Sequence, residues 1–153
     1  MDILSSLSRS PLFDMLANQE LEAMGQLVDR HRFAAEELIF EEGEAGDCVY
    51  VIVTGEVQVE HLDPSGNRHY LAQLAAPDFF GEMGLLDKVY RSATVRAKED
   101  TELLRITTDK LAEFRGTYPD GYTLIILNIA RALATRLREA NDRLGPLPGK
   151  GSL

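Results

Sequence analysis

The feature that most restricts the fold is an uninterrupted apolar run near the middle of the chain, Cys48-Val-Tyr-Val-Ile-Val53. The run is short, rich in β-branched residues and followed by Gly55, which together favour a β-strand over a helix. A half-exposed strand alternates apolar with polar side chains, and this run does not. We therefore predict a strand that is buried on both faces, with other elements covering each side.

Further strands are predicted after Gly55, because the apolar and polar residues there alternate or form short apolar runs. The first two are joined by Asp63-Pro-Ser-Gly66, which has the residues of a type I turn. The predicted strands cover 57–62, 70–74, 93–98 and 103–107.

Helices are predicted on both sides of this strand region. Near the N-terminus, Leu21, Met24 and Leu27 follow a helical spacing, and a long helix is predicted from about Tyr122 to Leu144. The architecture expected is mainly β: a small antiparallel sandwich or barrel with N-terminal helices and a long C-terminal helix. We expect one domain over 1–144 and a flexible tail over 145–153, which is rich in Gly and Pro.

The long helix carries a regular apolar seam with alternating steps of four and three residues, as in a coiled coil. The seam either packs on the strands of its own domain or forms a parallel dimer, and its regularity favours the dimer. Its members are Ile126, Ala130, Leu133, Leu137, Ala140 and Leu144.

Composition excludes several classes of function. The formal net charge of −9 disfavours binding to nucleic acid, whose phosphates require a positive field. The single cysteine, Cys48, excludes an internal disulfide and suits a reducing cytoplasm. We see neither a secretory signal nor an apolar run long enough to cross a membrane.

The segment with the clearest chemistry is Phe79-Phe-Gly-Glu-Met-Gly-Leu-Leu, followed after Asp87-Lys-Val-Tyr by Arg91-Ser-Ala-Thr-Val95. Gly81 and Gly84 allow the backbone to approach a ligand closely. Arg91 is suited to a phosphate, and Glu82 can accept a hydrogen bond from a sugar hydroxyl. These residues are compatible with two interpretations. They could form a pocket for a phosphate that carries a ribose, or Glu82 could simply form an ion pair with a nearby cationic side chain.

Two motifs in this order resemble the cyclic nucleotide-binding domains of CRP/Fnr regulators and kinase regulatory subunits. One is Phe80-Gly-Glu-Met-Gly-Leu85 with Arg91-Ser-Ala-Thr-Val95, which is similar to the phosphate-binding cassette of that family. The other is Gly46-Asp-Cys-Val-Tyr-Val-Ile-Val-Thr-Gly55, which is similar to its strand-turn signature. The resemblance extends over about 12–144 and implies an antiparallel β-roll, also called a jelly roll or double-stranded β-helix.

The resemblance also implies roles for individual residues. Arg91 would pair with the cyclic phosphate and Glu82 would bind the ribose 2′-hydroxyl. The long helix would cover the base through Arg138, Asn141 or Asp142, and among these Asn141 is our predicted ligand contact. cAMP is expected in preference to cGMP. The backbone N–H groups expected to complete the phosphate site belong to Gly81, Met83, Gly84, Ser92 and Ala93.

The chain departs from this family in two respects. It has Ala75-Ala-Pro-Asp78 where relatives often have Pro-Gly-Asp, so the turn that enters the site could differ in shape. It also ends after the long helix, where CRP-like regulators continue into a helix-turn-helix domain. We therefore expect a free-standing or fragment sensor module, with no direct binding to nucleic acid.

The sequence is compatible with several functions. The favoured one is a cytoplasmic, homodimeric sensor that binds a cyclic nucleotide and signals to an unidentified downstream protein, without metal or cofactor. The alternatives are a dimeric interaction module that has lost its ligand and the sensor half of a longer regulator. A cupin-type enzyme is disfavoured because His31, His61 and His69 lie in separate segments without ligand spacing.

Overall fold

A computed structural model of the chain describes residues 2–86 and 90–144. The helices are α1 (Ile3–Arg9), a 3-10 helix (Pro11–Phe13), α2 (Asn18–Gly25), α3 (Met83–Leu86), α4 (Thr108–Thr117) and α5 (Pro119–Leu144). The strands are β1 (Asp29–Phe33), β2 (Leu38–Phe40), β3 (Cys48–Thr54), β4 (Glu56–Leu62), β5 (Arg68–Ala75), β6 (Phe79–Phe80), β7 (Thr94–Ala97) and β8 (Thr101–Thr107).

Within the described residues, the strands form two four-stranded sheets in which all pairs are antiparallel. The first sheet has the order β1-β8-β3-β6, and the second has the order β2-β7-β4-β5. Consecutive strands β2 and β3 lie in different sheets, as do β5 and β6, so the chain passes back and forth between the two layers. The predicted antiparallel roll with helices at both ends is therefore confirmed.

Strand β3 is covered on both sides, as its sequence predicted. Val49, Val51 and Val53 belong to a core cluster between the first sheet and the helices. Cys48, Tyr50 and Ile52 belong to a second cluster inside the roll. The six residues of the run are all buried because alternate side chains serve two different cores.

The helices pack together on the outer side of the first sheet, and a buried amide fixes the long helix to the N-terminal helices. Asn128 on α5 is 4% exposed, and its Nδ2 donates to the backbone carbonyls of Leu12 and Asp14 at 3.0 and 2.8 Å. An unpaired buried amide would cost about 1–3 kcal/mol, so these two bonds favour one position of the helix. The N-terminal half of α5 is consequently held against the N-terminal segment.

The structure differs from the sequence-based prediction at some element boundaries. The long helix begins at Pro119 rather than near Tyr122, since Pro is well accommodated in the first turn of a helix. The next helix, α4, begins at Thr108 and is capped by Thr107, whose Oγ1 accepts from the Lys110 N–H. Helix α2 begins at Asn18, and the Glu20 carboxylate accepts from the Ala17 N–H at its start.

Strands β1, β2 and β6 are not among the strand ranges predicted from the sequence. The sequence of β1, Asp-Arg-His-Arg-Phe, is mostly charged because β1 is an edge strand with largely exposed side chains. Strand β6 is only two residues long, which is too short for an alternation of apolar and polar side chains to be recognised. The tail predicted over 145–153 lies outside the described residues, and the domain limits 1–144 stay a prediction.

Candidate functional site

A cavity of about 690 Å³ lies between the second sheet, the segment around α3 and the distal half of α5. Its apolar wall comes largely from the strands and includes Phe40, Val59 and Leu74. Polar side chains border it from the α3 segment and from α5. Ligand sites of this size, largely apolar with a few convergent polar groups, are typical of small-molecule binding.

Gly81 forms the turn between β6 and α3, where a side chain has no room. Its φ of +84° is a conformation that favours glycine. A Cβ atom at this position would lie 2.8 Å from Nη1 of Arg91 and 3.3 Å from the Cys48 carbonyl oxygen. Gly84 is equally restricted, because its Cβ would lie 2.8 Å from the Gly46 carbonyl oxygen. Both glycines therefore bring the α3 backbone close to Arg91 and the loop before β3.

Arg91 is 8% exposed as a residue, and its guanidinium is held from several directions. Nη1 donates to the Gly81 carbonyl at 3.0 Å, and Nη2 donates to the Cys48 carbonyl at 2.9 Å. Nη2 also lies 3.4 Å from Sγ of Cys48. The backbone of Arg91 is bonded as well, since its N–H donates to Glu44 O at 2.6 Å and its carbonyl accepts from the Gly43 N–H at 2.9 Å.

The described groups that contact the Arg91 guanidinium are uncharged. Burial raises the pKa of the Cys48 thiol, and it also raises the pKa of the neighbouring Tyr50 hydroxyl. Both groups are therefore protonated and neutral near pH 7. Among the described residues, the partners of the guanidinium are two carbonyls and a thiol, so its positive charge has no carboxylate beside it.

Glu82 pairs with an arginine that the sequence analysis did not select. Glu82 is 4% exposed, and its Oε1 accepts from Nη1 of Arg136 on α5. Nη2 of the same guanidinium donates to the Phe79 carbonyl at 2.5 Å and lies 3.3 Å from Oδ1 of Asp78. The cation that pairs with Glu82 is therefore Arg136, and in the part of the chain that the structure describes no carboxylate pairs with Arg91.

Arg136 joins the long helix to the entrance of the α3 segment. The signal that could have revealed it is a polar stripe at helical spacing beside the apolar seam. That stripe comprises Arg136, Glu139 and Arg143, and all three line the cavity. Without the fold, the same stripe is indistinguishable from a solvated helix face.

Most of the predicted site residues come together around this one cavity. It is lined by Gly81, Glu82, Met83, Gly84, Arg91, Ser92 and Ala93. Asn141 is exposed and does not line it, whereas the neighbouring Asp142 does. Arg138 also lies outside the cavity and donates to Thr135 on its own helix at 3.2 Å. The structure therefore places Asp142, of the three helix residues considered for the base, at the cavity.

In residues 2–86 and 90–144, no group of three or more His, Cys, Asp or Glu side chains is arranged to hold a metal ion. None of the helices described in these ranges has the length and apolar character needed to cross a membrane.

The sequence profile described as "Cyclic nucleotide-binding domain" matches residues 30–118, which include most of β1, the α3 segment, Arg91 and α4. The chain belongs to the cyclic nucleotide-binding domain family. Within that family it is similar to a Thermus thermophilus protein named "Cyclic AMP receptor protein", with 36% identity over 135 residues. The match covers 88% of this chain but 61% of that relative, so the chain spans less than two thirds of its length.

Solved structures of the family have the same fold. A cyclic nucleotide-binding domain from Methylobacillus flagellatus matches with a TM-score of 0.83 at 26% identity, covering 99% of this chain and 85% of that one. The N-terminal domain of a transcriptional regulator from Streptomyces coelicolor A3(2) matches with a TM-score of 0.75 at 28% identity. That alignment covers 96% of this chain and 99% of the regulator domain.

Proposed function

We propose that this chain is a regulatory module that binds a cyclic nucleotide, cAMP in preference to cGMP, in the cavity beside Arg91. The observation that carries the proposal is the buried guanidinium of Arg91, which borders the cavity and contacts only neutral groups among the described residues. A desolvated charge is costly unless a counter-charge compensates it. An anionic ligand in the cavity would supply that counter-charge.

A cyclic nucleotide has the features that the remaining polar groups require. Its single negative charge would meet Arg91, together with backbone N–H groups near Gly81, Gly84 and Ser92. Glu82 uses Oε1 for Arg136, and its Oε2 is not bonded within the described part of the chain. That oxygen is suited to accept a hydrogen bond from the ribose 2′-hydroxyl. Arg91 and Glu82 would act as binding groups, with no catalytic step.

The base would lie between β5 and α5, where the cavity is lined by Tyr70, Ala72 and Leu74 on one side. Glu139 and Asp142 line the other side and offer hydrogen-bond acceptors to a base amino group. The preference for cAMP is supported by the name of the Thermus thermophilus relative. A base in this position would contact the long helix, so ligand binding would favour one arrangement of α5 over others.

Isothermal titration calorimetry of the purified chain tests the proposal. We expect both cyclic nucleotides to bind, with cAMP binding more tightly, and adenosine to bind much more weakly because it lacks the phosphate. We expect 2′-deoxy-cAMP to bind about 10-fold more weakly than cAMP. This factor corresponds to the loss of roughly one hydrogen bond to a charged group. In Glu82→Gln, the difference between these two nucleotides should shrink markedly.

A folded protein that gives no binding heat with either cyclic nucleotide, at several temperatures, would contradict the proposal and favour a ligand-free interaction module. Binding with an undiminished 2′-hydroxyl preference in Glu82→Gln would show that the ribose lies elsewhere. Circular dichroism of each variant establishes that it is folded before titration.

We also propose that the chain forms a homodimer through the distal half of α5. The seam divides in two: Ile126 and Leu133 pack partly against the core of their own domain, whereas Leu137 and Leu144 are 63% and 84% exposed. The first half therefore matches the alternative in which the seam packs on its own domain. The second half leaves large apolar side chains at coiled-coil spacing, which a second copy of the helix would cover.

Sedimentation equilibrium measures the oligomeric state directly. We expect a dimer at micromolar concentration and a shift towards monomer in Leu137→Asp, because a charge would replace a buried apolar contact. Leu62→Asp is the matched control, since Leu62 is an exposed leucine (45%) at the end of β4 and should leave the mass unchanged. A wild-type mass equal to that of the monomer would refute the dimer.

A further inference from the structure

The ring of Phe40 lies directly against the guanidinium of Arg91. Cζ of Arg91 is 4.1 Å from the centroid of the Phe40 ring, well within the roughly 6 Å over which a cation is attracted to an aromatic face. Phe40 is 9% exposed and Arg91 is 8% exposed, so water does not screen the contact. Such desolvated contacts are the stronger ones of this kind.

Phe40 is itself immobilised by two other aromatic rings. Its centroid lies 6.2 Å from that of Tyr50 and 5.9 Å from that of Phe80, and the latter two rings stack at 5.3 Å. Phe80 immediately precedes Gly81, whose carbonyl accepts from Arg91. The aromatic cluster therefore connects β2 of the second sheet with β3 and β6 of the first at the position where the arginine is held.

The contacts around Arg91 restrain it in complementary ways. The carbonyls of Gly81 and Cys48 bind the edge of the guanidinium through hydrogen bonds, whereas Phe40 covers a face. The backbone of Gly46 borders it as well, since a Cβ there would lie 3.4 Å from Cδ, Nε and Cζ of Arg91. A side chain ordered before the ligand arrives loses less conformational freedom on binding, which favours affinity.

We infer that Phe40 is a positioning residue for anion binding: its ring holds the Arg91 guanidinium in the orientation in which it meets a phosphate. The inference rests on the proposed function, because it assigns to Phe40 a share of the phosphate affinity at the same site. Phe40 also lies on the cavity wall, so its test must separate an effect through Arg91 from direct contact with the ligand.

Calorimetric titration with cAMP provides the test. Phe40→Leu removes the ring and is expected to weaken binding about 10-fold, whereas Phe40→Tyr retains the ring and should bind within about twofold of the wild type. If the leucine variant does not fold, Phe40→Met replaces it in this test, because methionine fills a similar volume without a ring. Phe33→Leu is the matched control, because Phe33 packs against the same apolar cluster and should leave affinity unchanged.

Two further measurements separate positioning from other roles. In the Arg91→Gln background, which has no cation to contact the ring, Phe40→Leu should have a much smaller effect on affinity than it has in the wild type. In the protein without ligand, the Nε–H resonance of Arg91 should carry a ring-current shift that is retained in Phe40→Tyr and lost in Phe40→Leu.

The possible failures are distinct. A wild-type protein that binds no cyclic nucleotide would overturn the proposed function, and the positioning role with it. If the wild type binds, equal affinity of Phe40→Leu, an equal loss in Phe33→Leu, or an undiminished effect in Arg91→Gln would each overturn the positioning role alone.

Discussion

Replacing Arg91 with alanine is expected to weaken cyclic nucleotide binding roughly 100-fold. Arg91 is buried at the wall of the cavity, and within residues 2–86 and 90–144 its guanidinium is not paired with a carboxylate. Loss of its charge-assisted hydrogen bonds to a phosphate should cost about 3 kcal/mol, which corresponds to that factor. Calorimetric titration of the variant with cAMP measures the loss.

The same substitution should also lower the stability of the ligand-free protein. It leaves the carbonyls of Gly81 and Cys48 without their donor, at a cost of about 1–3 kcal/mol. Arg32→Ala is the control, because it removes the same charge from a residue that is exposed on β1 and does not line the cavity. Undiminished affinity in a folded Arg91→Ala protein would place the anion elsewhere.

Replacing Gly55 with alanine is expected to destabilise the fold by about 3 kcal/mol, which is the sum of two penalties. Its φ of +94° disfavours any residue with a Cβ atom. In addition, that Cβ would lie 2.5 Å from Oγ1 of Thr101 and 2.6 Å from the Asp100 carbonyl oxygen, so the turn between β3 and β4 would have to move away from β8. For a chain of this size, thermal denaturation should show a decrease in Tm of roughly 6–12 °C.

Gly66 allows these two penalties to be separated. Its φ is +86°, close to that of Gly55, but a Cβ atom there would meet nothing within 4 Å. Gly66→Ala therefore measures the conformational penalty alone, and should lower Tm by less than half as much as Gly55→Ala. Equal decreases in the two variants would show that close packing against Thr101 does not contribute.

The fold was largely predictable because a few local sequence patterns, such as the apolar run of β3, are compatible with only one kind of structural environment. The apolar run of β3 required cover on both faces, and the structure supplies it with the helices on one side and the interior of the roll on the other. The edge strand β1 was not predictable, because its pairing with β8 depends on residues about 70 positions away rather than on a period of its own.

The candidate site was predictable only in the part that is continuous in sequence. Gly81, Glu82 and Arg91 lie within one short segment, so their types and spacing could be compared directly. Arg136 and Phe40 approach this segment from α5 and β2, and neither carries a local pattern that distinguishes it from a surface arginine or a core phenylalanine. Long-range contacts of this kind become apparent only when the fold is known.

The buried amide of Asn128 gives the long helix a fixed point. The segment from Asn128 to Leu144 is about 24 Å long at about 1.5 Å per residue, and Leu133 is the last of its residues to pack against the helical core. Beyond that residue, Arg136 bonds α5 to the wall of the cavity. A tilt of roughly 10° about Asn128 would displace Leu144 by about 4 Å, so a small change of position at Glu82 would become a larger one at the exposed leucines.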